Sequence, residues 1–508
     1  NPYTDEKRAD KILRCPEHLA TAEKIAEKSI VLLKNDGLLP IRKDLRSVAV
    51  IGPAADTVSY GDYTETRGRK GGVSVLDGIR AAVSPETEVL YERGCNFLGQ
   101  ALHPFDPSML RDENGEAGLT GRYYNGPVPQ GEPVQVRTDR TVNFNWIFAL
   151  PHPELDANCF SVAWTGSVIM PKTMDGCIGL STQDSMRLYV DDKLLIDGWG
   201  KDKSADQALD FHFEAGRTYK IRIEFVNDRR GARVIFGYSA GWENFPAAVE
   251  AARKADVAIL CMGDNEETSG ENFDRTDLNL PGRQLELVQA VYATGTPVVL
   301  VLQSGRPVTA NWENDHLPAI LEAWFPGEQG GTAIAKTLFG NAAPGGRLPI
   351  TFPRSVGQIP CHYSRRPGGG KRYVEMDWLP LYPFGYGLTY TTFAYRDMAL
   401  SRSVIDPQDT VTVSVTVTNT GKYTGDAVPQ LYVRDMFSSV VKPERQLAAF
   451  RRLTLAPGES RRVELTVGPK QLRTLGPDYV WRVEPGKFEL QLGDNAENIL
   501  LRADLTVE

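Results

Sequence analysis

The chain is poor in the residues that metal and redox centres require. Its 508 residues include six cysteines and six histidines. Cys15, Cys95, Cys159, Cys177, Cys261 and Cys361 form no Cys-x-x-Cys pair and the histidines are scattered, so no zinc site is indicated. Only Cys159 and Cys177 are near enough in sequence to suggest a bridge, and cysteine usage leaves the compartment open. No apolar run approaches the roughly 20 residues of a membrane span. Positive charge is not in excess: 57 Lys and Arg face 65 Asp and Glu, for a net charge of −8. With no basic cluster interleaved with aromatics, nucleic acid is not the expected partner. No Gly-rich loop ends in Lys-Ser or Lys-Thr, so the phosphate-cradling motif is absent. Internal repeats and low-complexity tracts are absent as well.

What remains is an ordinary globular composition, 41% hydrophobic and 24% charged. That length should hold roughly three or four domains. Asn1 is not a start methionine, which raises the expectation that an upstream segment was removed or belongs to another chain.

Residues 16–34 carry Leu19, Ala22, Ile25, Ala26, Ile30 and Leu33 at helical spacing and end at the turn Asn35-Asp36-Gly37. A strand at 47–52, a helical pattern at 75–83 and a strand at 88–91 follow. This β–α–β alternation indicates a mostly parallel sheet. From about Gly115 to Tyr238 the chain reads as all-β, with a hairpin at 187–190 and 194–196 and clean alternation at 219–226. The α/β style then returns: helix 245–254, strand 257–262, helix 282–293, strands 298–303 and 318–323. An all-β block interrupting that alternation indicates an inserted domain. From about Thr389 short alternating strands at 411–417, 430–434, 461–467 and 487–492 indicate a β-sandwich.

The stretch richest in chemistry is 269–282, Ser-Gly-Glu-Asn-Phe-Asp-Arg-Thr-Asp-Leu-Asn-Leu-Pro-Gly. It follows the apolar strand Val257 to Met262 and Gly263, and the carboxyl ends of strands are where α/β sheets place ligands. Glu271 has the right chemistry for a general acid, with nearby carboxylates able to raise its pKa. Taken alone, Glu266, Glu267, Glu271, Asp274 and Asp277 read as a solvated acidic loop with Arg275 as a surface partner.

The wider motifs change that reading, because in order along the chain they resemble glycoside hydrolase family 3. Asn1-Pro2-Tyr3 and Ser29-Ile30-Val31-Leu32-Leu33-Lys34-Asn35-Asp36 resemble the link from that family's barrel. Phe325-Pro326-Gly327-Glu328-Gln329-Gly330-Gly331 and Gly345 to Pro353 resemble its second-domain core. Tyr382-Pro383-Phe384-Gly385-Tyr386-Gly387-Leu388 resembles its junction to a fibronectin type III-like domain, which Gln430 to Val433 and Leu455 to Glu459 resemble in turn. Gly121 to Tyr124, Trp164-Thr165-Gly166 and Leu188 to Asp191 are similar to the protective-antigen module that some members carry as an insert. The implied fold is an α/β sandwich at 41–114 and 239–388, interrupted by a β-sandwich insert at 115–238 and followed by a fibronectin type III-like sandwich at 389–508. Residues 1–40 are then a linker and helix from a missing barrel.

The resemblance implies a retaining exo-β-glycosidase, first of all a β-glucosidase acting on short β-linked oligosaccharides or aryl glycosides, with β-xylosidase as an alternative. Such enzymes use two carboxyl groups about 5–5.5 Å apart. The family's acid/base glutamate, in its Glu-x-x-Asp-Arg pattern, falls on Glu271, with Asp274 and Arg275 supporting the loop. Glu266 and Glu267 are its rivals, and Asn272 stands where many members have Gly. The nucleophilic aspartate belongs to the barrel. No eight-fold βα pattern of about 250 residues is present here, so a barrel segment or chain becomes the expected partner. The chain alone should be inert. Neither metal nor organic cofactor is implied, a homo-oligomer is compatible with the pattern, and the family's habits favour a periplasmic or secreted location. A noncatalytic carbohydrate-binding protein is the alternative of another class. Trp199, on the polar loop 197–202, either tucks back onto its own sandwich or offers a stacking surface to a sugar ring.

Overall fold

The computed structural model describes all residues except 1–4, 62–63, 65–70, 98–101, 147–149, 183, 201–206, 228–232, 241–244, 266–267, 272 and 369–371. It divides into two compact units, one of residues 1–97 with 245–508 and one of residues 98–244.

The first unit contains a six-stranded sheet built from β1 (Val31–Asn35), β2 (Ser47–Ile51), β3 (Glu88–Glu92), β4 (Val257–Gly263), β5 (Val298–Gln303) and β6 (Ala319–Glu322). Its order is β1-β6-β5-β4-β2-β3, parallel throughout except for β1, which runs antiparallel to β6. Every residue of β2, β4, β5 and β6 is buried. Continuous runs of Val, Ile, Leu and Ala suit such positions, because helices cover both faces of a parallel sheet. On one face, Ala26 of α2 (Pro16–Ser29, after the short α1, Glu6–Ile12), Val75, Leu76 and Ile79 of α3 (Val75–Ala82), and Ala333, Ile334 and Leu338 of α7 (Gly330–Leu338, after the short α6, Asn311–His316) join one hydrophobic core. On the other, Ala248, Ala251 and Ala252 of α4 (Phe245–Lys254) and Leu287, Val288 and Val291 of α5 (Gln284–Tyr292) join a second. Helices α3 and α7 meet where both lack side chains. A Cβ on Gly331 would lie 1.9 Å from the Ser74 carbonyl oxygen, and one on Gly78 2.1 Å from the Gly331 oxygen.

The amino-terminal segment departs from the sequence reading. Helical spacing to residue 34 is interrupted at Ile30, which is extended, and Val31, Leu32, Lys34 and Asn35 pair as the edge strand β1. A short apolar run rich in branched residues fits strand or helix by periodicity, and here the open edge beside β6 decides. Residues 31–35 therefore belong to the α/β sheet, not to a linker. Leu32 also bridges Leu388, whose N–H donates to the Leu32 carbonyl at 2.8 Å.

Beyond Leu388, strands Phe393–Leu400, Val411–Asn419 and Ser460–Val467 form one sheet. Val404–Ile405, Ile499–Val507, Gly486–Gly493, Gln430–Asp435 and Gln446–Phe450 form a second. The alternation in Val411–Asn419 turns Val411, Val413, Val415 and Val417 inward. The junction is polar and aromatic. Tyr363 stacks on Phe384 at 4.2 Å, and Gln430 Nε2 donates to the Gly385 carbonyl at 2.9 Å while its Oε1 accepts from Tyr432 Oη. Lys28 of α2 meets Asp426 at 2.7 Å.

The second unit is all-β. One sheet runs Gln207–Phe213, Met174–Thr182, Arg233–Ala240, His103–Pro104; the other runs Lys193–Asp197, Ser185–Val190, Thr218–Asn227, Phe160–Ile169, Leu119–Asn125, Gln135–Asp139. Phe105, Trp164, Phe160, Phe213, Phe225 and Phe236 fill its core. Asp139 is buried there, accepting from Tyr123 Oη at 2.6 Å and Trp164 Nε1 at 2.7 Å and pairing with Arg137 at 2.7 Å. The unit starts earlier than residue 115, since His103–Pro104 and Leu110–Arg111 pair within its sheets and Phe105 and Leu110 lie in its core. Short strands of two residues carry too little periodicity to be read from sequence. Cys159 and Cys177 are not bridged to each other.

Candidate active site

The chain passes from β2 to β3 on one side of β2, and after the second unit returns to β4 on the other side. The strand order thus reverses at the β2/β4 boundary, the crevice where open α/β sheets bind ligands. Close backbone approach marks this boundary: a Cβ on Gly52, just after β2, would lie 2.1 Å from the Cys261 carbonyl oxygen, and Gly52 has φ +123°. The loop bearing Glu271 leaves β4 at this crevice.

Its departure point is fixed by Gln284, the first residue of α5. This amide is fully buried; its Oε1 accepts from the Gly263 N–H at 2.8 Å and its Nε2 donates to the Gly263 carbonyl at 2.9 Å. Both backbone groups of the last strand residue are thereby satisfied where the ladder ends. Asp264 follows, 1% exposed. Its Oδ1 accepts from Arg275 Nη1 at 3.1 Å and Thr268 Oγ1 at 3.1 Å, and its Oδ2 lies 3.7 Å from Arg306 Nε. Burial raises its pKa against the opposing pull of Arg275, Thr268 and Arg306.

Arg275 also donates to the Asn279 carbonyl at 2.7 Å and reaches Asp277 at 3.3 Å. Arg306, from the turn after β5, donates to the Thr268 carbonyl at 3.2 Å and the Phe273 carbonyl at 3.5 Å. The same turn lets the loop come close, since a Cβ on Gly305 would sit 2.8 Å from Ser269 Oγ. Behind it Glu322, at the end of β6, is fully buried; its Oε1 accepts from the Trp324 N–H at 2.8 Å. Ser304 Oγ lies 3.1 Å from Glu322 Oε2 and donates to the Arg306 carbonyl at 2.9 Å. A hydroxyl has one proton, so both contacts are satisfied when Glu322 is protonated and donates to Ser304. Desolvation pushes the Glu322 pKa well up, in accord with that arrangement.

Of the residues expected from sequence, Glu271 is exposed on this loop and Arg275 is one of its anchors, its side chain 16% exposed. Asp274 is exposed and makes no hydrogen bond or ion pair with a described residue, so its support of the loop is not visible in these contacts. Glu266, Glu267 and Asn272 lie outside the described residues. Trp199 belongs to the second unit, where it is half-buried with the Arg187 guanidinium 4.9 Å from its ring centre. Residues 201–202 of its loop are outside the described set. Asp264, Arg306 and Glu322 were not singled out by sequence reasoning. Each sits at or just past the end of a buried strand, which is the one signal that could have found them. Among the described residues no three His, Cys, Asp or Glu side chains gather as metal ligands. No helix of the described residues is long and apolar enough to cross a membrane.

This architecture has close counterparts among glycoside hydrolases. Residues 30–390 match the glycosyl hydrolase family 3 C-terminal domain, and residues 427–496 match a fibronectin type III-like domain. The chain belongs to glycoside hydrolase family 3. A β-glucosidase of Rhizobium radiobacter is 34% identical over 535 residues, covering 98% of this chain and 63% of its own length. A β-xylosidase of Formosa agariphila is 45% identical over 302 residues, 57% of this chain and 42% of that protein. The structure of a β-glucosidase from Kluyveromyces marxianus in complex with glucose superposes with a TM-score of 0.74 at 28% identity, covering 97% of this chain and 63% of that one. The chain thus spans under two thirds of the length of these relatives.

Proposed function

We propose that this chain is the acid/base-bearing part of a retaining exo-β-glycosidase that removes terminal β-D-glucosyl residues from short oligosaccharides or aryl glycosides. The observation carrying this reading is the position of Glu271: on a loop at the reversal point of the sheet, followed by Arg275 anchored to buried Asp264. In this reading Glu271 protonates the leaving oxygen and then deprotonates the attacking water, while an aspartate on a (β/α) barrel forms the glycosyl-enzyme bond. The relatives' greater length supports a barrel partner, as do Ile12, Leu13 and Ile25, apolar side chains left exposed on the amino-terminal helical segment. The all-β second unit is read as a protective-antigen-like insert. A β-xylosidase reading is favoured by the 45% identity to the Formosa agariphila protein over part of the chain.

In the complete, barrel-containing protein, Glu271→Ala should lower kcat on an alkyl β-glucoside by roughly 10²–10⁴-fold. Dinitrophenyl glycosides, whose leaving groups need little protonation, should suffer less in the glycosylation step. Azide, a nucleophile that needs no base, should restore part of the rate. An unchanged rate in Glu271→Ala with a large loss in Glu266→Ala or Glu267→Ala would overturn the assignment. A panel of nitrophenyl glucoside and xyloside separates the two sugar readings.

A further inference from the structure

We propose that Arg306 is a positioning residue for Glu271, bracing the acid/base loop from a neighbouring strand. The proposal rests on the reading of Glu271 given above and extends it to a residue 35 positions away in sequence.

Three observations carry it. Arg306 Nη2 donates to the carbonyls of Thr268 and Phe273, which lie on either side of Glu271. A single planar guanidinium therefore spans the backbone segment that presents the carboxyl group, a geometry that a flexible ammonium reproduces poorly. The turn carrying Arg306 also touches the loop at Gly305, where a side chain would collide with Ser269 Oγ. Finally, Arg306 is itself held: its Nε lies 3.7 Å from Asp264 Oδ2, and its carbonyl accepts from Ser304 Oγ, which contacts buried Glu322. Arg275 secures the far side of the loop through the same aspartate. Asp264 is thus the shared counter-charge of two arginines that hold the loop ahead of and beyond Glu271. Arg306 Nε has no hydrogen-bond partner among the described residues.

A group that fixes the position of a proton donor matters in proportion to how much proton donation limits the rate. In the complete protein, Arg306→Met should lower kcat on an alkyl β-glucoside by about 10–10²-fold, the scale of a misplacement near 1 Å, with KM changed less than kcat. On a dinitrophenyl β-glucoside, with glycosylation followed in the pre-steady state, the loss should be several-fold smaller. In a Glu271→Ala background, Arg306→Met should cause no further loss of the azide-rescued rate. Arg306→Lys keeps charge and stem and should show the same substrate-dependent pattern at smaller amplitude, which covers the case where the Met variant fails to fold. Equal losses on both substrates, or an additive loss in the Glu271→Ala background, would make Arg306 merely structural and overturn the proposal. Wild-type kinetics in both Arg306 variants beside a crippled Glu271→Ala would also overturn it while leaving the acid/base assignment intact. Wild-type kinetics in Glu271→Ala would remove the assignment itself.

Discussion

Glu322 is a carboxyl group whose surroundings favour its neutral form. Its folded pKa lies above the ordinary 4.5 because burial outweighs its hydrogen bonds with Trp324 and Ser304. The folded state then binds its proton more tightly than the unfolded chain does. Its stabilising share is complete below the unfolded pKa and declines as pH rises toward the folded value, by up to about 1.4 kcal/mol per pH unit. Glu322→Gln keeps an acceptor for Trp324 and a donor for Ser304 but has no proton to lose. Measured by urea unfolding from the ordinary carboxylate pKa upward, this variant should gain on the wild type as pH rises, whereas Glu322→Ala should be destabilised at every pH. A constant difference between Gln and Glu would show that Glu322 is not protonated in the fold. At this scale sequence motifs disclosed Glu271 and Arg275, neighbours in one pattern. Asp264, Arg306 and Glu322 stayed hidden because only the sheet brings three strand ends together, and spacing along a chain carries no record of that.

Elements were more legible where burial is extreme. The fully buried β4 and β5 and the alternating Val411–Asn419 strand lie within a residue or two of their sequence-derived bounds. Helix α7 was seen only as a Gly-rich family motif, because glycine obscures helical periodicity. The structure explains those glycines by the contact of α7 with the start of α3. Replacing Gly331 by alanine should gain about 1 kcal/mol in helix propensity. Against this stands a Cβ placed 1.9 Å from the Ser74 oxygen, which forces the helices apart. Overpacking of this kind costs about 1–3 kcal/mol or more, so the clash wins. Gly331→Ala should therefore lower the denaturation midpoint; a raised midpoint would mean that the helices can separate freely.

For the molecule as a whole, the boundary of the all-β unit has a practical outcome. Phe105 and Leu110 are 1% and 0% exposed within its core. Excision of residues 98–244 with a short Gly-Ser joint should leave a soluble, cooperatively folding remainder. Excision of 115–238 strands those two side chains without their core and should give aggregated protein by size-exclusion chromatography. The reverse ranking would return the boundary to residue 115. Sequence located the insert by its change of style but not its first strands, since pairs as short as His103–Pro104 are defined by their partners alone.

The Leu32–Leu388 bridge gives the chain a mechanical short circuit. The Ile30 carbonyl accepts from Gly346, the Leu33 carbonyl accepts from Tyr386 Oη, and Leu388 donates to Leu32, so the entry and exit of the α/β domain are stitched side by side. Lys28 and Arg452, both on Asp426, extend the seam to the fibronectin-like sandwich. Tension between the amino-terminal helices and that sandwich would be borne across this seam at one edge of the sheet. The central strands, and the loop that presents Glu271, would carry little of the load. A domain tethered in this way can transmit force between its neighbours while the carboxyl ends of its central strands stay slack.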